Sequence, residues 1–97
     1  MGAYLAARYR GATNGPQHRV IAAMEYLGSE MAARVPAGTR VWVDEADEVW
    51  WFRMQELVTM HGLVLTKDRA GAELVLHRRV DPAAPAGVRL DVTSVAG

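Results

Sequence analysis

Carboxylates and imidazoles are the side chains of this sequence best suited to chemistry. Four acidic residues, Asp44, Glu45, Asp47 and Glu48, lie within five positions, and carboxylate oxygens are the ligands that Mg²⁺ and Ca²⁺ prefer. A calcium loop, however, alternates its ligands around a glycine turn, which this segment lacks. Acidic residues also stabilise a helix start, because they accept from unpaired N–H groups and oppose the helix dipole. We therefore expect a helix start here, with neither a metal site nor a cofactor.

The three histidines offer a second kind of chemistry. His18, His61 and His77 are too far apart in the sequence to form a ligand pair. His61 or His77 beside one of the acidic residues would make an acid–base pair, so a metal-dependent or acid–base enzyme is one alternative. No serine or threonine lies in a recognisable nucleophile turn. We predict no catalytic residues and a non-enzymatic protein.

Three consecutive aromatic residues, Trp50, Trp51 and Phe52, follow the acidic cluster. On a helix with 100° per residue, Trp50 shares the core face with Met54 and Leu57, Trp51 lies about 100° away and Phe52 about 200° away. Phe52 then falls among polar residues, which are Glu45, Glu48, Gln55, Glu56 and Thr59. One helix face cannot bury all three rings.

This mismatch predicts an aromatic docking surface with an acidic rim, since aromatic residues are enriched at protein interfaces. The predicted partner-binding residues are Trp51, Phe52, Glu48, Gln55 and Glu56. The partner is another protein or a second copy of this chain. Alternatively, the N-terminal tail or the loop of residues 81–87 covers Phe52.

Composition and charge narrow the class of protein. The 97 residues suffice for one domain, and the absence of cysteine excludes disulfides and thiolate metal sites. No apolar run reaches the roughly 20 residues that span a bilayer, and we expect a cytoplasmic protein. The net charge is zero, with five acidic residues against one basic residue in positions 41–60. Because polyanion binding needs clustered cations, nucleic acid is a disfavoured partner.

Hydrophobic periodicity predicts the elements that position these residues. The predicted order is an edge strand at 1–10, a helix at 16–34, a strand at 39–43, a helix from 44 or 46 to 61, a buried strand at 63–66, a strand at 73–79 and a last strand from 88. Residues 67–72 are expected to close a hairpin between the strands at 63–66 and 73–79. The predicted fold class is α+β, with one mixed, mainly antiparallel sheet of three to five strands and two helices packed on one face.

The arrangement of residues 49–79 as helix, glycine, strand, loop and strand resembles the recognition helix and wing of winged-helix DNA-binding domains. The resemblance implies a nucleic-acid-binding protein that uses a 63–79 hairpin. Lys67 and Arg69 would lie at its tip, and Arg78 and Arg79 on its second strand. This chain departs from that family in having only a short strand between Pro36 and Asp44.

The sequence thus favours a small interaction module, such as an adaptor, an inhibitor or a regulatory subunit. Compact inhibitors carried by phages and plasmids are of this size and have the same lack of chemistry, which is an analogy at the level of fold and size.

Overall fold

The computed structural model describes residues 15–95 of the chain. Its elements are helix α1 (Gly15–Arg34), strand β1 (Arg40–Val43), helix α2 (Glu48–Met60), strand β2 (Val64–Leu65), a 3₁₀ turn (Arg69–Gly71), strand β3 (Leu74–Val80) and strand β4 (Val88–Ser94). The predicted order of elements is confirmed from residue 15 onward. The edge strand predicted at residues 1–10 lies outside the described residues.

The four strands form one mixed sheet in the order β2-β1-β3-β4. Strand β1 is parallel to both of its neighbours, whereas β3 and β4 form the antiparallel pair. The antiparallel pair is the longer one, with seven paired residues against five in the two parallel pairs together. The predicted α+β class with a mixed sheet is confirmed.

The predicted 63–79 hairpin is wrong. Strand β1 lies between β2 and β3, so these two strands do not pair with each other. The segment between them instead crosses β1. In that crossing segment, the Thr66 hydroxyl donates to the Val41 carbonyl (3.1 Å) and the Arg40 side chain donates to the Gly71 carbonyl (3.2 Å). The winged-helix resemblance therefore loses its wing.

The buried strand predicted at residues 63–66 is also only partly correct. Leu63 is buried, but Val64 and Leu65 are exposed. They form a two-residue edge strand that pairs with β1 on one side only. Apolar residues in a short run do not show which of them face the core, and here the sheet edge leaves two of them uncovered.

The hydrophobic core lies between the sheet and the two helices. Residues that share a pairing position lie on the same side of a sheet, and the buried side chains of β1, β3 and β4 on one side meet those of both helices. The largest fully buried side chains are Met24, Leu27, Met31, Met54, Leu57, Leu76, Leu90, Val41 and Val58. Neither helix of residues 15–95 carries a stretch long and apolar enough to cross a membrane.

Helix α2 starts later than predicted, at Glu48 instead of residue 44 or 46. Strand β1 extends its backbone bonding through Asp44, whose N–H donates to the Leu76 carbonyl (2.9 Å). Asp47 then caps the helix, because its carboxylate accepts from the Trp50 N–H (3.0 Å). The helix ends at His61 and Gly62, and Gly62 has φ +72°, a value that favours glycine.

Candidate protein interface

The acidic cluster is divided between different structural tasks. Asp47 caps α2, and Glu45 is turned inward, where its carboxylate accepts from the Asp47 N–H (3.1 Å) and binds Arg78. Asp44 and Glu48 remain exposed. Glu45 therefore does not lie on the polar side of α2, where the helical wheel placed it. No group of three or more metal-ligating side chains lies together among residues 15–95.

Phe52 lies on the side of α2 that faces away from the sheet, with 57 % of its surface exposed. Val49, one turn earlier, is exposed to a similar degree, 54 %. The Trp51 ring is half-buried and meets the Phe52 ring edge-to-face, with the two ring centroids 5.1 Å apart. Edge-to-face contact is a favourable arrangement of aromatic rings. The two rings thus form one continuous aromatic surface.

Polar side chains flank this aromatic surface along the helix. Glu48 is exposed, whereas Gln55 and Glu56 are half-buried. The helical wheel places these residues within about 60° of Phe52. We call Glu48, Val49, Trp51, Phe52, Gln55 and Glu56 the docking face. It contains all five predicted partner-binding residues, and their role in binding stays a prediction.

A groove of about 280 Å³ opens beside the docking face, at the carboxyl ends of β1 and β2. Trp51 and Gln55 belong to both surfaces, so the groove continues the docking face toward the sheet edge. The residues that line it are Trp42, Val43, Trp51, Gln55, Leu65, Thr66 and Lys67. Sequence analysis did not find this groove. Its available signal was Trp42, which alternates with the core residues Val41 and Val43.

The four cations proposed for nucleic-acid binding do not form one patch. Arg78 and Arg79 are adjacent in β3, so their side chains leave opposite faces of the sheet. Each is already in an ion pair, Arg78 with Glu45 (2.7 Å) and Arg79 with Asp91 (2.6 Å). Lys67 lies at the groove. Arg69, in the 3₁₀ turn, places its guanidinium over the Trp42 ring, 6.0 Å from the ring centroid.

The Glu45–Arg78 pair is largely buried, with side-chain exposures of 6 % and 12 %. It is bidentate, since a second hydrogen bond joins Arg78 Nη2 to Glu45 Oε2 (3.2 Å). The Arg78 guanidinium also lies over the Trp50 ring, 4.6 Å from its centroid, and Arg53 lies over the same ring at 5.1 Å. This cluster fixes the amino end of α2 against β3, and with it the orientation of the docking face.

The two described histidines that were candidates for acid–base chemistry are held by the fold. His77 places Nδ1 2.8 Å from the backbone carbonyl of Asp44, not from its carboxylate. His61 buries Nε2 against α1, where a Cβ atom at Gly28 would approach it to 2.9 Å. Burial lowers the pKa of His61 below its ordinary value of 6.5. Both rings thus have structural surroundings.

Comparison of the chain with protein-family models, curated proteins and solved structures found no match. The functional argument therefore rests on the geometry of the docking face and the groove.

Proposed function

We propose that this chain is a non-enzymatic protein-interaction module that binds another protein through the docking face. The observation that carries the proposal is the exposure of Phe52 together with its ring contact to half-buried Trp51. Large aromatic side chains with this accessibility are frequent energetic centres of interfaces. An adaptor, an inhibitor or a regulatory subunit in the cytoplasm is the corresponding class of protein.

Charge favours a different protein over a second copy as the partner. Glu48 and Glu56 flank the aromatic rings, and a two-fold dimer through this face would bring the same carboxylates together. Like charges brought face to face oppose association. A partner with an apolar centre and basic residues around it complements the docking face better than the face complements itself.

The test compares two valines that differ in position but not in type. Val49 is on the docking face, whereas Val80 lies at the end of β3 and is also exposed, 67 %. Phe52→Ala and Val49→Ala should abolish or strongly reduce capture of a partner from lysate of the source cells. Val80→Ala should capture the same partner as the unchanged chain.

The stability of these variants separates a binding effect from unfolding. Because more than half of Phe52 is exposed, Phe52→Ala should cost no more than about 1 kcal/mol of unfolding free energy. Equal capture by Phe52→Ala and the unchanged chain would refute the proposed docking face. A dimer that dissociates on Phe52→Ala, seen by sedimentation over a concentration series, would replace the foreign partner with a second copy.

A further inference from the structure

The groove is built from both layers of the fold. Trp42 comes from the side of β1 opposite the core, Trp51 comes from α2, and Leu65 comes from the edge strand β2. The carboxyl ends of the parallel strands β1 and β2 meet at this point. In open sheets with parallel strands, ligands bind outside the carboxyl ends of the strands. The position of the groove is therefore one where a ligand is expected.

The size of the groove limits what it can hold. Its volume of about 280 Å³ lies just below the range of roughly 300–1,000 Å³ for pockets that take drug-sized ligands. One large side chain of a partner fits this volume better than a complete nucleotide or cofactor does. Two indole rings on its walls favour an aromatic side chain, since aromatic pairs gain energy beyond the area they bury.

The polar groups of the groove favour a negative charge beside that side chain. Lys67 takes part in no ion pair among the described residues, and no carboxylate lines the groove. The Arg69 guanidinium over Trp42 adds a second positive charge nearby. The adjacent Asp68 carboxylate is used within the 3₁₀ turn, where it accepts from the Gly71 N–H (2.9 Å).

Two polar side chains of the groove differ in their availability. The Thr66 hydroxyl already bonds the carbonyls of Val41 and Asp68. The Gln55 carboxamide forms no hydrogen bond within the described part of the chain, so its N–H₂ group can donate to a ligand. Lys67 and Gln55 thus provide an ammonium and an amide donor at one opening.

We propose that the groove is the anchor pocket of the docking face, and that it takes an aromatic residue of the partner with an acidic side chain next to it. The aromatic ring lies between Trp42 and Trp51, and the carboxylate pairs with Lys67 and accepts from Gln55. The inference rests on the proposed function and specifies the chemistry of the partner. An acidic side chain is favoured over a free C-terminus, because terminal carboxylates are captured by clustered backbone N–H groups and the donors here are side chains.

Blocked dipeptides test the pocket without knowledge of the partner. The probe is N-acetyl-Phe-Glu-amide, and its matched control is N-acetyl-Phe-Gln-amide, which has the same ring and shape without the charge. Each is titrated into the ¹⁵N-labelled full chain, whose three tryptophans give three indole N–H signals. The signals of Trp42 and Trp51 should shift. The Trp50 signal should not, because Trp50 does not line the groove and is covered by Arg53 and Arg78.

The acidic probe should bind about three- to fivefold more tightly than its control, as expected for one exposed ion pair. Lys67→Gln should remove this preference. Arg40→Gln removes a positive charge at the other end of β1, where Arg40 faces Glu73, and should leave the preference intact. Equal binding of both probes, equal loss in both variants, or no shift of Trp42 and Trp51 at millimolar probe would overturn the proposal.

The outcome is separable from that of the proposed function. If Phe52→Ala abolishes partner capture but no probe binds, the docking face stands and the anchor pocket is wrong. If the probes bind as expected but Phe52→Ala leaves capture unchanged, the pocket is a peptide site that acts apart from the docking face.

Discussion

Replacing Glu45 by glutamine should destabilise the protein far more than the loss of an ordinary ion pair would. The carboxylate and its Arg78 partner are only 6 % and 12 % exposed, and two hydrogen bonds of 2.7 and 3.2 Å join them. Glu45→Gln leaves the Arg78 charge buried over Trp50 without a counter-charge. Removing one member of a buried pair costs about 3–5 kcal/mol. Glutamine keeps the shape and one acceptor, so we expect about 3 kcal/mol.

A second ion pair on the same strand supplies the control. Arg79 binds Asp91 at 2.6 Å, a distance equal within 0.1 Å to that of the Arg78 pair, but the two side chains are 53 % and 28 % exposed. Exposed pairs contribute about 0–1 kcal/mol. Asp91→Asn should therefore cost no more than about 1 kcal/mol, although the bond it removes is as short.

Urea unfolding followed by tryptophan fluorescence measures both free energies, and thermal unfolding gives a second readout. In a domain of this size 1 kcal/mol corresponds to about 4–8 °C, so Glu45→Gln should lower Tm by roughly 12–24 °C. The double variant Glu45→Met with Arg78→Met leaves no buried charge and should recover much of the loss. Equal losses for Glu45→Gln and Asp91→Asn would refute the reasoning, because burial would then not decide the strength of these pairs.

Two further predictions concern the end of α2. Because burial lowers the pKa of His61, the folded state favours the neutral ring; its contribution to stability is complete above the unfolded pKa of about 6.5 and is lost as pH falls through the lower folded value. Urea midpoints of the unchanged chain should therefore fall between pH 7.5 and pH 5 by more than those of His61→Gln, and parallel curves would contradict this. Gly62 has φ +72° and room for a Cβ, whose nearest neighbour would be Ala37 at 3.8 Å, so Gly62→Ala should cost about 1–2 kcal/mol through backbone strain alone. Gly62→Asn should cost less, since asparagine tolerates this conformation, and equal losses in thermal unfolding would argue against that cause.

Local periodicity was sufficient to predict most elements of the fold. The apolar stripe of Val20, Met24, Leu27 and Met31 is the buried side of α1, and the alternation of Val41 and Val43 with Trp42 is the pattern of β1. Such patterns depend on neighbours within a few residues, which the sequence displays directly.

Strand pairing was not predictable in the same way. A short polar segment containing Gly71 between two apolar runs is typical of a hairpin, but β1 occupies the place between β2 and β3. The choice depends on long-range contacts that no local pattern records. Glu45 is a similar case, because its partner Arg78 lies 33 residues away. The same limit hid the groove, whose walls Trp42 and Trp51 come from different elements.

The central position of β1 has a consequence for synthesis on the ribosome. Both strands that pair with β1 are made after it, and the last of the described core residues is Leu90 in β4. A nascent chain that has reached only α2 can form helices but no sheet, because β1 has no neighbour yet. Its apolar side stays accessible to chaperones until β2 and β3 emerge. We therefore expect the protein to acquire protease resistance only when nearly the whole chain has left the exit tunnel.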